Sequence, residues 1–324
     1  MTSRIILAPM EGVVDHHVRA LLTEIGGIDQ CVTEFVRVND QVLPAKVFHR
    51  LAPEIRQGCK TPSGIPVKVQ ILGGNPASMA VNALEAVKAG ADAIDINFGC
   101  PAKTVNRSDG GACLLREPDR VYRIVRAVRD ALPAHIPLSA KIRLGFDDRL
   151  SFLDNARAVA DGGAAELAVH ARSKADGYRP PAYWEYIAGI RAAVAIPVIA
   201  NGEVWSLSDY HRCREVSGSR DIMIGRGLLA CPDLARQIKA DLQGKPCQPM
   251  SWRDVCQMLL DYFDRTRPFY DEKNCGNRIK QWLVYLRLHY PQANDFFEAI
   301  KRKRCADDIR EHLCDALRQL QQAG

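Results

Sequence analysis

Eight short apolar runs, each closing on polar residues and recurring about every thirty residues, constrain this chain more than any other feature of its sequence. The runs are residues 5–10, 31–35, 67–71, 93–97, 138–142, 166–170, 198–201 and 221–225. At or near their C-terminal ends stand Met10-Glu11, Glu34, Gln70, Asn97, Lys141, His170, Asn201 and Gly225-Arg226. A strand buried on both faces of a parallel sheet should be plain Val, Ile and Leu. Burying an unpaired neutral polar group costs roughly 2–7 kcal/mol, so these ends need partners or solvent. A (β/α)8 barrel supplies the place, because all its strand ends open on one face, where active sites are built. We read the polar ends as a single ring of site residues.

Helical patterns lie between the runs, clearest at residues 81–88, 119–132, 151–161, 184–193 and 206–216. Ser151 and Ser206 are candidate N-caps, and Gly162-Gly163 is a stop signal. Strand–helix alternation argues for a parallel sheet, and eight units argue for closure rather than an open doubly wound sheet. A boundary falls at Gly244-Lys245-Pro246, and beyond it the periodicity is helical only, at 252–263, 278–289, 294–303 and 307–321. The expected fold is therefore α/β, a (β/α)8 TIM barrel over residues 1–243 followed by a small all-helical C-terminal domain over residues 250–324. That tail holds ten of the 22 aromatic residues, enough for an aromatic core beneath a charged face.

The net charge of +6 permits an anionic partner without requiring one. Eleven cysteines, an odd number with no pair at two-residue spacing, suggest neither a disulfide framework nor a zinc site. Free thiols in that number point to a reducing compartment. The N-terminal apolar stretch is too short for a signal-peptide core, and no run approaches a membrane span. A cytoplasmic location and no bound metal are expected.

Asn97-Phe98-Gly99-Cys100-Pro101 makes a tight turn after the fourth run and holds Cys100 over the barrel mouth. A thiol there can serve as nucleophile or acid. Its reference pKa of about 8.5 leaves it protonated near neutrality, so an acid role needs little tuning. Cys113, in Gly110-Gly111-Ala112-Cys113, reads as small-residue packing. Asn201-Gly202-Glu203 and Gly225-Arg226-Gly227 follow the last two runs, where barrel loops commonly bind phosphate through backbone amides. Arg226 adds a bidentate cation. Ordinary turn glycines are the plainer alternative. The segment from Gly225 to Ala230 also fits a dinucleotide fingerprint, but no further βαβ unit follows to complete it. Gln70, Lys141 and His170 suit an electron-poor ring bearing carbonyl and N–H groups, with Lys141 stabilising negative charge on it. In the tail, Arg278, Trp282 and Tyr285 share one helix face and Lys280 and Arg287 another. From residue 246 onward 13 basic residues stand against 11 acidic ones, so only this clustering, not the total, suits a folded RNA. A solvated face over an aromatic core explains it equally well.

With these motifs in hand, the chain resembles the tRNA-dihydrouridine synthases nearly end to end. The resemblance rests on Leu7-Ala8-Pro9-Met10-Glu11-Gly12-Val13, Thr33-Glu34-Phe35-Val36-Arg37-Val38, the cysteine turn, and Lys103-Thr104-Val105-Asn106. It continues through Lys141-Ile142-Arg143-Leu144-Gly145, both phosphate-type loops, and Arg278-Ile279-Lys280-Gln281-Trp282-Leu283. Met10-Glu11-Gly12 and the Thr33 segment resemble the bacterial C type. The resemblance implies an FMN-containing barrel, reduced by NADPH (or NADH), with a helical tRNA-binding domain. It implies that Pro9, Met10, Glu11, Gln70, Lys141 and His170 surround the flavin ring, and that Asn201, Gly202, Glu203, Gly225 and Arg226 hold its phosphate end. It makes Cys100 the proton donor, and Arg37, Asn97, Tyr178, Arg278 and Lys280 tRNA contacts. The implied reaction reduces uridine to 5,6-dihydrouridine at position 16 of the tRNA D-loop, with hydride from flavin N5 to C6 and a proton from Cys100 to C5. The target base must leave the tRNA fold to reach the mouth.

Three other readings fit parts of the sequence. A flavin barrel acting on free pyrimidines needs no helical tail with a basic face. A non-catalytic tRNA-binding or chaperone module would bind tRNA yet purify colourless. A phosphosugar isomerase or aldolase barrel accounts for the phosphate loops and Lys141 but not for the turn or the tail.

Overall fold

A closed parallel barrel organises the computed structural model, which describes residues 3–322. The first two and last two residues of the expected domains lie outside the described residues. The strands are β1 (Ile5–Leu7), β2 (Gln30–Val32), β3 (Val36–Arg37), β4 (Val67–Leu72), β5 (Ile94–Asn97), β6 (Leu138–Arg143), β7 (Glu166–His170), β8 (Val198–Asn201) and β9 (Ile222–Ile224). Each pairs in parallel with its neighbours, and β1 pairs with both β2 and β9, which closes the ring. Eight barrel positions thus hold nine strands. The expected second strand, 31–35, is interrupted: β2 and β3 both pair with β4. Thr33 explains the break, because its hydroxyl takes the Gln70 N–H at 3.0 Å in place of a ladder carbonyl.

The helices are α1 (His16–Ile25), α2 (Ala45–Leu51), α3 (Pro76–Lys88), α4 (Lys103–Arg107), α5 (Pro118–Ala131), α6 (Phe152–Asp161), α7 (Trp184–Ala193), α8 (Leu207–Ser217), α9 (Arg226–Ala230) and α10 (Leu234–Leu242). Five more follow: α11 (Trp252–Thr266), α12 (Glu272–Cys275), α13 (Asn277–Leu286), α14 (Gln292–Ile300) and α15 (Ala306–Gln322). Their starts carry the capping chemistry their sequences offer. Asn75 accepts from the Ser78 amide ahead of Pro76, so α3 begins five residues before the expected 81. Ser206 caps α8 as expected, and Ser251 forms a reciprocal capping box with Asp254 on α11. Ser151 precedes α6 but makes no side-chain cap, because its backbone turns in with ψ 16° rather than extended. Gly162 and Gly163 end that helix.

Two apolar layers build the barrel domain. Most buried residues lie between the strands and the surrounding helices. Inside the ring, Ile6, Ala8, Val32, Ala168, Ile199 and Met223 form a separate small cluster. Most other inward positions of β4 to β7 are polar, among them Lys68, Gln70, Asp95, Asn97, Ser139, Lys141, Glu166 and His170. Strand alternation turns every second residue inward, so β4 to β7 feed their polar residues to the interior and its mouth.

Helices α11 to α15 pack on one another and on the barrel. Trp282 is the anchor. Its ring stands edge-on to Tyr262, and its Nε1 donates to the Leu229 carbonyl at 3.1 Å. Arg278 donates to the carbonyls of Gly12 and Val13 and pairs with Asp15. The Arg265–Glu24 pair, at 2.8 Å, ties α11 to α1. Trp282→Ala should lower the unfolding free energy by about 3–5 kcal/mol, whereas Leu288→Ala, at a position 62% exposed, should change it by under about 0.5 kcal/mol. Denaturant midpoints of the two variants check this.

Candidate active site

The strand ends open into a cavity of about 620 Å³, within the range that small-molecule and cofactor sites occupy. Pro9, Met10 and Glu11 reach it from the loop after β1, Gln70 from β4, Asn97 from β5, Lys141 from β6 and His170 from β7. Asn201, Gly202 and Glu203 follow β8, and Gly225 and Arg226 follow β9. Cys100 and Tyr178 complete the wall. Arg37, Arg278 and Lys280 lie outside this lining. Arg37 is exposed on the rim and donates to the Thr104 carbonyl at 3.3 Å. Arg278 is engaged with Gly12, Val13 and Asp15, as well as with Tyr262 and Gln281. Lys280 donates to the Lys303 carbonyl.

Asn97 shapes the cysteine turn. Its Oδ1 accepts from the amides of Gly99 at 2.8 Å and Cys100 at 3.0 Å. Arg143 holds the turn from the other side, with Nε on the Gly99 carbonyl at 2.8 Å and Nη1 on the carbonyls of Ser173 and Gly177. The Cys100 side chain is buried, and burial pushes its thiol pKa upward, with the nearby Glu11 carboxylate adding to the rise. The thiol therefore stays protonated, the state an acid needs. Cys113 lies half-buried below, with its Sγ on the Gly110 carbonyl at 3.3 Å.

Positive charge dominates the opposite wall. Burial pulls His170 well below its ordinary value, and Arg143, Lys141, Arg172 and Arg226 pull it further, so its imidazole is neutral. Burial likewise depresses Lys141 to about 7, with Arg143 adding to the effect. Glu203 is the counter-charge. Its Oε1 lies 2.7 Å from Arg226 Nη2 and 2.8 Å from Arg172 Nη2. The second contact is off the hydrogen-bond direction, leaving a buried Arg172 N–H without a partner among the described residues. The Arg226 guanidinium stands 4.9 Å from the ring centres of both Tyr178 and Trp205. Close backbone approach shapes this end. At Gly202, with φ +119°, an added Cβ would sit 2.9 Å from His170 Cδ2, and at Gly227 it would sit 2.1 Å from the Val204 carbonyl oxygen. The first turn of α9 leaves its leading amides outside the helix's own hydrogen bonds.

Cationic side chains, glycine-lined backbone and an apolar floor from Ala8, Met223 and Ile224 fit a planar ligand carrying a phosphate. Among the described residues no cluster of three or more His, Cys, Asp or Glu side chains is placed to hold a metal ion. No helix of the described residues is long and apolar enough to cross a membrane. Arg143, Arg172 and Trp205 are site residues that sequence reasoning did not single out, and Tyr285, read there as part of a helix face, lines the cavity as well. Arg143 and Arg172 stand two positions beyond Lys141 and His170, so strand alternation is the signal that marks them.

A (β/α)8 enzyme with its site in the strand-end loops is the class these features define. The chain belongs to the dihydrouridine synthase family, whose sequence profile it matches over residues 6–323. It is 51% identical over 300 residues to a Pseudomonas putida protein named tRNA-dihydrouridine(16) synthase, covering 93% of each chain. It is 50% identical over 319 residues to a Shewanella oneidensis protein of the same name, covering 98% of this chain and all of that one. Among solved structures, a 2-naphthoyl-CoA reductase complex aligns with 75% of this chain and 50% of its own at a TM-score of 0.54 and 11% identity, a likeness of fold alone.

Lys141 gives this site a measurable stability cost. A lysine depressed from 10.5 to about 7 is charged in the unfolded chain but resists charging in the folded one. The penalty is absent above the unfolded value, grows as pH falls, and is complete below the folded value of about 7. Without bound cofactor, Lys141→Met should therefore melt higher than the wild type at neutral pH, and the gap should close as pH rises toward the unfolded value. Melting curves of the two cofactor-free proteins across that range check it.

Proposed function

We propose that this chain reduces uridine to 5,6-dihydrouridine in tRNA, at position 16 of the D-loop, with FMN bound in the barrel mouth and NADPH (or NADH) as reductant. The reading is supported by family membership and by one observation above the rest: a buried Cys100 thiol, its pKa raised by that burial, on the wall of a cavity that also gathers Lys141, Arg143 and Arg226. Bound and reduced, FMN would supply the hydride chemistry needed at C6 of the uracil ring. Every other part of the chemistry falls to the chain itself. Pro9, Met10, Glu11, Gln70, Lys141 and His170 would border the flavin ring, and Lys141 stabilises negative charge there. Neutral His170 presents a ring nitrogen without adding a further cation. Gly202, Glu203, Gly225, Arg226 and Asn201 would hold the phosphate end. Cys100 delivers its proton to C5, and its raised pKa keeps that proton in place until the base arrives.

In this reading, residues 1–243 form the catalytic domain, residues 250–324 the tRNA-binding domain, and the protein works in the cytoplasm. Exposed Arg37 and Tyr178 meet tRNA at the rim. Asn97, Arg278 and Lys280 serve recognition from within, each holding a loop that the RNA would cover. A flipped base entering the mouth would pass Tyr178 on its way to Cys100.

The purified protein should be yellow, with about one FMN per chain. Arg226→Ala should weaken flavin retention by roughly 1.5–3 kcal/mol through loss of a charged hydrogen bond. A colourless protein that takes up no flavin on reconstitution would refute the reading. Cys100→Ala should keep flavin and tRNA binding but lose about 10²–10⁴-fold in dihydrouridine formation, while Cys113→Ala stays near wild type. Dihydrouridine mapped in tRNA after reaction with each variant measures both, and a Cys100→Ala enzyme working at the parental rate removes the proton-donor role.

A further inference from the structure

A chain of hydrogen bonds runs inside the barrel from its N-terminal end to the cysteine turn, and its direction is set at both ends. The amides of Gly99 and Cys100 can only donate, so Asn97 must show them its oxygen. The Asn97 amide nitrogen then faces Gln70 Oε1, at 2.8 Å. That leaves Gln70 Nε2 turned to Asp95 Oδ2, at 2.7 Å. At the other end the Lys68 ammonium can only donate, and it gives a proton to Ser139 Oγ at 3.2 Å. Ser139 passes its own hydroxyl hydrogen to Asp95 Oδ1 at 2.6 Å. Asp95 is where the two directions meet, and it accepts from both. Gln70, Asp95, Ser139 and Glu166 are register partners on β4 to β7, so the ladder itself stacks these side chains in one layer, with Gln70, Asp95 and Ser139 buried.

We propose that Asp95 is a positioning residue for the reaction: by accepting from Gln70 it fixes the orientation of two amides, and through them the turn that holds Cys100 at the cavity wall. It touches neither thiol nor cavity; its effect passes through Gln70 and Asn97. An amide flipped at either link would aim an N–H at the N–H groups of Gly99 and Cys100 and release the turn. The proposal rests on the reading of Cys100 as proton donor, and a displacement of about 1 Å in such a group costs on the order of 10²-fold in rate.

The test compares Asp95→Leu, Asp95→Asn and wild type, each the full chain as purified, with folding verified by thermal melting. Asparagine still offers Gln70 an oxygen and can give its own N–H to Ser139; leucine offers neither. The first readout is the rate at which iodoacetamide alkylates Cys100, followed by mass spectrometry with Cys113 as internal control. Asp95→Leu should raise the Cys100 rate at least about fivefold with Cys113 unchanged, and Asp95→Asn should stay within about twofold of wild type. The second readout is tRNA reduction: in Asp95→Leu kcat should fall roughly ten- to a hundredfold with KM for tRNA and reduction by NADPH unaltered. Asp95→Ala carries the same expectations should the leucine variant not fold. Unchanged Cys100 alkylation in a folded leucine or alanine variant overturns the proposal, as does an asparagine variant that behaves like leucine. A wild-type protein that does not reduce tRNA would instead remove the functional reading, while the alkylation rates still decide whether Asp95 holds the turn.

Discussion

The pairing of β1 with β9 is the constraint on which the rest of the molecule depends. Three register pairs, Ile5 with Ile222, Ile6 with Met223 and Leu7 with Ile224, turn an open parallel sheet into a ring. In an open sheet the first and last strand ends would lie at opposite edges. Closure instead sets the loop after β1 against the loop after β9, so that a Cβ added at Gly225 would stand 3.2 Å from Met10 Sδ. Residues more than two hundred positions apart thus become walls of one cavity. The tail strengthens this arrangement, since Arg278 and Trp282 grip the segments that follow β1 and β9.

A ring this narrow must also be filled, and this barrel fills it in two ways. A small cluster of apolar residues, mostly from β1, β2, β7, β8 and β9, occupies part of it, and a hydrogen-bonded polar layer from β4 to β7 the rest. Buried polar groups are costly when any partner is missing and rigid when all are satisfied. Here Lys68 is answered by Glu166 and Ser139, and Glu166 in turn by Arg4. The interior therefore serves as scaffolding for the mouth above it. At that mouth the balance changes: burial disfavours the charged form of Lys141, and one Arg172 N–H has no hydrogen-bond partner among the described residues. Sites of this kind hold stability in reserve for a ligand.

Much of this was legible in the amino-acid order. Strand–helix alternation is a local property, written in the spacing of apolar residues, and eight repeats of it specify a barrel. The polar residue at the end of each run is legible for the same reason, since a strand end that breaks its apolar pattern needs a place to go. Asn75 before Pro76 and Ser206 before α8 are also short-range signals. Other features depended on partners distant in sequence. The break between β2 and β3 comes from the Thr33 hydroxyl entering the ladder beside Gln70. The cations of α13 read as a basic surface, yet Arg278 turns inward to carbonyls some 265 residues away. The sequence by itself determined which residues are strand, helix and strand end, because those choices rest on periodicity and turn chemistry within a few positions. Only the tertiary structure decided which charges meet and which way each amide points, because the orientation of Asn97 and Gln70 is set by donors and acceptors that ring closure alone brings together.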